Sequence, residues 1–441
     1  MAANLPRLSS PHKPVLSLTW AEGGFYIALV KRRNQLLALF CLIVFFAFGV
    51  FYFRTWVVQK PFGIILFVAE GLDSGRLAAT RIYAGGAEIP LTIDSLRYTA
   101  LLKNYSEDFA TPDQAAAASA LATGAKVRNG ALGIDADGKA LTNLIELARQ
   151  NGRMTGLITN ALLTDPTPAS FYAHTAASED RAELARTLIE SAEIDIVMGG
   201  GSADFLPARK DGRRADERDL LLEIRGTGYD LVRNLEELDA VPRWRRAKLF
   251  GLFSRTELAF SAEDESRGDQ PTLSDMVRRS IELLQFNSGG YLLVIDAGLM
   301  GRAARANNEK STLAETVELD HAVSTALRYA GAKSTILVCG DVAVGGLTLS
   351  GLLPRGKSGA ELLEAKPGRR PWLTWATGPN PPGASTDAVD ASDILPPDAV
   401  YSESAQNIAG DVIVFGSGLG AEALQGTLEN TAIFGIIRDN L

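Results

Sequence analysis

Histidine is scarce in this 441-residue chain, which has only His12, His174 and His321, and His12 precedes a long apolar run. A catalytic zinc site built on three imidazoles cannot be assembled from that supply. Cysteine is rarer still. Cys41 lies inside the apolar run and Cys339 in a later apolar stretch, a placement that argues against a disulfide between them. Positive charge is also in deficit, since 44 Lys and Arg face 52 Asp and Glu for a formal net charge of −8. That balance argues against general nucleic-acid binding. The local exception, Arg243, Arg245, Arg246 and Lys248 around Trp244, reads as a solvated surface. Internal repeats and long low-complexity tracts are absent.

What the chain does have is an uncharged run at residues 36–53, LLALFCLIVFFAFGVFYF, just long enough to cross a bilayer, with Trp56 suited to the interface beyond it. Lys31, Arg32 and Arg33 precede the run, with Arg7 and Lys13 upstream, while Arg54 and Lys60 follow. The positive-inside bias then keeps the N-terminus cytoplasmic and leaves the rest of the chain outside. A cleaved signal peptide is the rival, but the polar lead is long and no small-x-small site follows Phe53. The expected organisation is a cytoplasmic segment at 1–35, a single-pass anchor at 36–58 and a periplasmic or extracellular domain at 59–441. Residues 19–30 are expected to form at most an interfacial segment.

Beyond the anchor, short β-rich runs alternate with helical stretches. FGIILFVAEG, GRMTGLITN, IDIVMGGG, GGYLLVIDAG and STILVCGDVAVGG read as buried strands, and residues 142–150, 181–191, 273–286 and 314–329 as helices. This alternation predicts an α/β fold: a three-layer sandwich with a central, mostly parallel sheet. Acids that end such strands converge on one site. Residues 367–398, rich in Pro, Gly and Asp, read as an extended excursion.

The most informative stretch is 111–133, TPDQAAAASALATGAKVRNGALG. Thr111 and Asp113 stand where a helix cap belongs, Pro112 suits a first turn, and six of the eight residues 115–122 are alanine, the best helix former. The amide groups at such a helix start favour an anion. This stretch resembles the nucleophile motif of alkaline phosphatases, in which Thr-Asp-Ser-Ala opens an Ala-rich helix and a Thr-Gly-x-Lys-x-x-Asn-Gly loop follows. Thr123, Gly124, Lys126, Asn129 and Gly130 match the loop and Asp113 the motif aspartate, but Gln114 stands at the serine. Further matching motifs extend the resemblance from Gly63 to Leu441, among them Trp372-Leu-Thr-Trp-Ala-Thr-Gly-Pro and the closing Gly410-Asp-Val-Ile-Val-Phe.

The resemblance implies roles position by position for a site with two zinc ions and a magnesium. Glu70 stands at the aspartate bridging zinc and magnesium, Asp165 and Thr167 at magnesium-site positions, and Asp296 at the magnesium-site glutamate. Asp341 matches a metal-site aspartate. Ser178 stands at the phosphate-binding arginine, with Arg181 three residues later. Gly301 occupies the place of a zinc-binding aspartate, while Arg305, Val342 and Asn407 occupy those of the three zinc-binding histidines. Arginine cannot coordinate zinc, and a carboxamide cannot turn over as a serine does.

The surviving set, Glu70, Asp165, Thr167, Asp296 and Asp341, consists of hard oxygen donors suited to Mg²⁺ or Ca²⁺ rather than zinc. Alternatively Arg302 and Arg305 fill the metal pocket and neutralise the acids, which is the favoured expectation. The predicted function is a membrane-anchored, alkaline-phosphatase-like protein without zinc-dependent phosphomonoesterase activity, acting in binding or scaffolding at the cell envelope. An envelope protein or a phosphate-containing ligand is the expected partner, and the resemblance adds a homodimer as a candidate state. The enzyme alternative is an active phosphomonoester hydrolase with a rebuilt Mg-type oxygen site. There Ser74 is the displaced nucleophile, Ser119 being expected to lie buried in the Ala-rich helix.

Overall fold

The computed structural model describes residues 20–52, 60–244, 248–356, 358–359, 363, 372–379 and 400–441. The excursion expected at 367–398, together with Arg7, His12, Lys13, Arg54, Trp56, Arg245 and Arg246, falls wholly or largely outside the described residues. Contacts divide the chain into two units, Met1–Gln59 and Lys60–Leu441.

In the first unit one helix spans Trp20–Tyr52. Its stretch Val30–Tyr52 is long and apolar enough to cross a membrane, and none of it is buried within the protein. The helix is therefore longer than the uncharged run: it continues back through Lys31–Arg33 to Trp20 instead of leaving 19–30 as a separate interfacial piece.

The second unit is built on a ten-stranded sheet. Its first eight strands are β1 (Gly63–Ala69), β2 (Tyr98–Lys103), β3 (Met154–Leu162), β4 (Ile196–Gly200), β5 (Asp230–Val232), β6 (Leu249–Leu252), β7 (Tyr291–Asp296) and β8 (Thr335–Gly340). The order runs Thr427–Glu429, β2, Val412–Ser417, β8, β1, β7, β3, β4, β6, β5. From β8 to β5 every neighbour is parallel, whereas Val412–Ser417 pairs antiparallel with both β8 and β2. The last expected strand is shorter than its apolar run: it breaks after Gly340, and Ala343–Val344 pairs separately with Asn407–Ile408.

Central strands read as continuous apolar runs because both faces are covered. Along β1, Ile64, Leu66 and Val68 join one buried cluster and Ile65, Phe67 and Ala69 the other. The first cluster includes Ala115, Leu121 and Ala122 of the Ala-rich helix Gln114–Thr123. The second includes Leu273, Val277 and Ile281 of helix Leu273–Leu284 and Leu319, Val323 and Ala326 of helix Glu309–Tyr329. Burying each Val, Leu, Ile or Phe side chain among these contributes about 1.5–3 kcal/mol, so the two clusters clamp the sheet between helical layers. The three-layer α/β architecture expected from the sequence is the one observed.

Candidate functional site

Parallel strands deliver the acids to one end of the sheet. Glu70 and Asp341 directly follow the paired residues Ala69 and Gly340 of β1 and β8, and Asp296 ends β7 opposite Thr159 of β3. All three carboxyl groups are buried. Burial, opposed by Arg305 and reinforced by the charges of Asp341 and Asp165, raises the Glu70 pKa from 4.5 to about 7. Burial likewise lifts Asp341, and Asp296 well above the usual carboxylate range. The Thr159 hydroxyl donates to Asp296 Oδ2 at 2.7 Å, while Asp296 Oδ1 has no hydrogen-bond partner among the described residues. The Thr167 hydroxyl donates to Asp341 Oδ2 at 3.1 Å.

Two arginines of helix Gly298–Arg305 stand among them. Arg305 Nη2 donates to Glu70 Oε1 at 3.1 Å and to Asn407 Oδ1 at 3.0 Å. Asn407 Nδ2 in turn donates to the Pro112 carbonyl at 3.0 Å, which ties this pair to the start of the Ala-rich helix. Arg302 Nη2 donates to both oxygens of Asp165, at 2.7 and 2.6 Å, and Arg181 reaches Asp165 Oδ1 at 3.4 Å. Charge-assisted contacts of this kind are the stronger class of hydrogen bond. Among the described residues no three His, Cys, Asp or Glu side chains form a group able to hold a metal ion.

Gly301 explains how the longer arm of Glu70 fits. A Cβ built on Gly301 would overlap the Glu70 carboxyl carbon and one of its oxygens, so Glu70 fills the space that a side chain at 301 would take. Val342 is fully buried in an apolar cluster with Ala117, Ala304, Val344 and Trp375, and its own side chain offers no donor to a metal. A guanidinium, a carboxamide, a valine and a glycine stand at the four positions to which the resemblance assigned zinc ligands, and neither a guanidinium, a valine nor a glycine side chain can donate to zinc.

The start of the Ala-rich helix keeps a complete hydrogen-bond frame. Asp113, not Thr111, is the cap, and Pro112 precedes it instead of lying in the first turn. Asp113 accepts from Ala116 N–H at 2.8 Å and Gly130 N–H at 2.6 Å, and its own N–H donates to Asn129 Oδ1 at 2.9 Å. Gln114 is the first helical residue. Ser178 is buried, with its N–H donating to the Gly130 carbonyl at 3.2 Å. Ser119 is buried as expected, bonded to Ala131 O and Ser170 Oγ. Ser74 is an exposed first residue of helix Ser74–Ala84, capped by Asp73. Among the described residues His174 makes no hydrogen bond to these groups; its Nδ1 lies 2.8 Å from Gly133 O and its Nε2 2.9 Å from Glu146 Oε1.

A family model described as Alkaline phosphatase matches residues 63–441. The chain belongs to the alkaline phosphatase family. Alkaline phosphatase H of Pseudomonas aeruginosa (strain UCBPP-PA14) is 31% identical over 327 residues, 64% of this chain and 68% of that protein. The alkaline phosphatase of Escherichia coli (strain K12) is 29% identical, over 75% and 77% of the two chains. Among solved structures, Thermus thermophilus alkaline phosphatase superposes with a TM-score of 0.70 at 22% identity, over 87% of this chain and 92% of that one. A TAB5 alkaline phosphatase variant with Mg bound in its M3 site gives 0.68 at 23% identity, over 87% and 98%. At such identities the structural likeness establishes the fold.

For an alkaline phosphatase family member, the group that sequence reasoning missed is Arg76. It is fully buried, donates Nη1 to the Glu70 carbonyl at 2.8 Å, and leaves Nε and Nη2 without hydrogen-bond partners among the described residues. Burial lowers its pKa, opposed by the charges of Asp73, Glu70 and Asp341. Gly71, at φ +77°, gives it room, because a Cβ there would press on the guanidinium. The sequence signal was available: an arginine three residues after the capping Asp73, on a helix that starts beside a site strand.

Proposed function

We propose that this chain is a membrane-anchored member of the alkaline phosphatase family that has lost zinc-dependent phosphomonoester hydrolysis and acts in binding or scaffolding at the cell envelope. The observation that carries the reading is the Arg305 guanidinium, joined to Glu70 and Asn407 where the resemblance places zinc and its imidazoles. A guanidinium stays protonated and offers only donors. It is a fixed cation that neutralises Glu70 and repels a metal. With Gln114 and Ser178 at the serine and arginine positions, neither a covalent phosphoenzyme nor a bidentate phosphate clamp is available. In triad hydrolases, losing the nucleophile alone removes about 10⁶ of rate.

On this reading the helix Trp20–Tyr52 is an uncleaved anchor with its amino end in the cytoplasm, and the Lys60–Leu441 unit faces the periplasm or exterior. Its partner is an envelope protein or a phosphate-containing ligand. The purified full chain, supplied with zinc and magnesium, is expected to hydrolyse p-nitrophenyl phosphate no faster than a Glu70→Ala control. Robust turnover abolished by that substitution would overturn the proposal, and pull-down from membranes would identify what the domain holds.

A second reading draws on the unpartnered Asp296 Oδ1. Asp296, Thr167, Asp341 and Glu70 are hard oxygen donors of the kind that Mg²⁺ or Ca²⁺ takes; since no three carboxylates among the described residues are grouped to hold an ion, this reading requires them to close around it, and the bound cation would supply Lewis acidity to a phosphoryl oxygen. Magnesium-dependent hydrolysis that Asp296→Asn removes would favour this active-enzyme alternative, and unchanged hydrolysis in that variant would dismiss it.

A further inference from the structure

Far from the acids, at the carboxyl ends of β5 and β6, the domain carries a cavity of about 310 Å³. That is the lower end of the range for small-molecule sites. Its wall is leucine: Leu221 and Leu252 are buried, and Leu206 and Leu231 are half-buried. Leu222 extends the apolar surface to the mouth, where it is 58% exposed.

The rim is basic. Arg225, one helical turn beyond Leu221 and Leu222, and Arg233, just past the end of β5, both line the cavity and are exposed. Neither side chain has an ion-pair or hydrogen-bond partner among the described residues, on a protein whose formal net charge is −8. The third cation, Lys210, is held at 2.6 Å by Asp219. Among the described residues Asp219 is the only acid lining the cavity, and its carboxylate is already spent capping helix Leu220–Gly226 through the Leu221 and Leu222 N–H groups. Two free guanidinium groups over a leucine wall ask for a ligand with an anionic head and an aliphatic body.

We propose that this cavity binds an amphipathic anion, a carboxylate or phosphate headgroup on an alkyl chain, with Arg225 and Arg233 on the head and the leucines around the chain. Arginine suits the head because its fork matches both oxyanions, and the leucines gain by removing the chain from water. The site is separate from the acid cluster and independent of whether that cluster turns over phosphate esters.

The test uses the full chain in phosphatidylcholine nanodiscs, titrated with octanoate by calorimetry with the heat of empty nanodiscs subtracted. Saturable binding is expected, falling about tenfold or more, or roughly 1.4 kcal/mol, for octanol and for the Arg225→Gln/Arg233→Gln double variant. A Leu222→Asn variant, at the exposed mouth, should weaken octanoate binding while keeping the native thermal transition. Equal affinity in the double variant, no saturable binding, or inorganic phosphate binding as tightly as octanoate would each overturn the proposal. Phosphatidylglycerol nanodiscs separate the sources of the ligand: octanoate excluded by them marks a bilayer lipid as occupant, and octanoate binding undiminished marks a free amphiphile.

Discussion

The two sides of the candidate site have parted company. At the start of the Ala-rich helix, Asp113, Asn129 and Gly130 hold one another in a closed set of hydrogen bonds although Gln114 has no nucleophile to offer. Across from it, every position that the resemblance gives to a zinc-binding imidazole is refilled, by Arg305, Val342 and Asn407. The difference follows from what each side chain satisfies. Asp113 caps backbone amides that would otherwise be orphaned, so it serves the fold whatever the chemistry. A metal ligand serves only its ion; on the proposed reading, with no ion to hold, what remains is a set of buried acids, for which Arg305 and Arg302 supply hydrogen-bonded countercharges.

The contrast is open to breaking, most severely by Gly301→Asp. Restoring that carboxylate drives it into Glu70, so the refilled side should lose about 3 kcal/mol or more through overpacking and like charge. Chemical denaturation of the full chain would measure it, and shortening the neighbour with Glu70→Asp should recover part of the loss. An undiminished midpoint in Gly301→Asp would mean that Glu70 is not wedged there.

pH comes next. The Glu70 pKa is raised from 4.5 to about 7, so the folded chain holds this proton more tightly than the unfolded one. The associated stability is fully present below about pH 4.5 and is lost as pH rises through 7, by up to about 1.4 kcal/mol per unit. Asp296 and Asp341, also raised by burial, act in the same direction, as does His174, raised by its hydrogen bond to Glu146. Urea midpoints should therefore fall from pH 5 to pH 8, and the slope should be shallower in Glu70→Gln.

Arg305→Met leaves Glu70 and Asn407 without their donor and should cost about 2 kcal/mol, less than for a fully buried pair because Arg305 keeps 29% of its side chain exposed. Combining it with Glu70→Gln should restore most of the loss, a coupling that a double-mutant cycle reads directly. The smallest effect belongs to the retained side: Asp113→Ala removes a helix cap and one loop bond, for about 1–2 kcal/mol by the same denaturation assay.

Much of the fold was legible because its determinants are local. The apolar runs of β1, β3, β4, β7 and β8 and the helical stretches between them announce an α/β sheet, and the acids follow the strand ends. The short strands β5, at the sheet edge, and β6, beside it, carry no sequence period, since three or four residues cannot show one. At the site, the motif positions bring Arg302 and Arg305 to the acids, and their contacts with Asp165 and Glu70 are present. Buried Arg76 and the overlap of Glu70 with Gly301 depend on three-dimensional placement that sequence spacing does not encode.

The most direct measurement is the zinc content of the purified full chain after exposure to excess zinc and dialysis, by elemental analysis. If Arg305 stands where a zinc would, the chain retains no zinc above the buffer blank. Stoichiometric zinc that disappears in Asp341→Asn would contradict the account and return the acid cluster to metal chemistry.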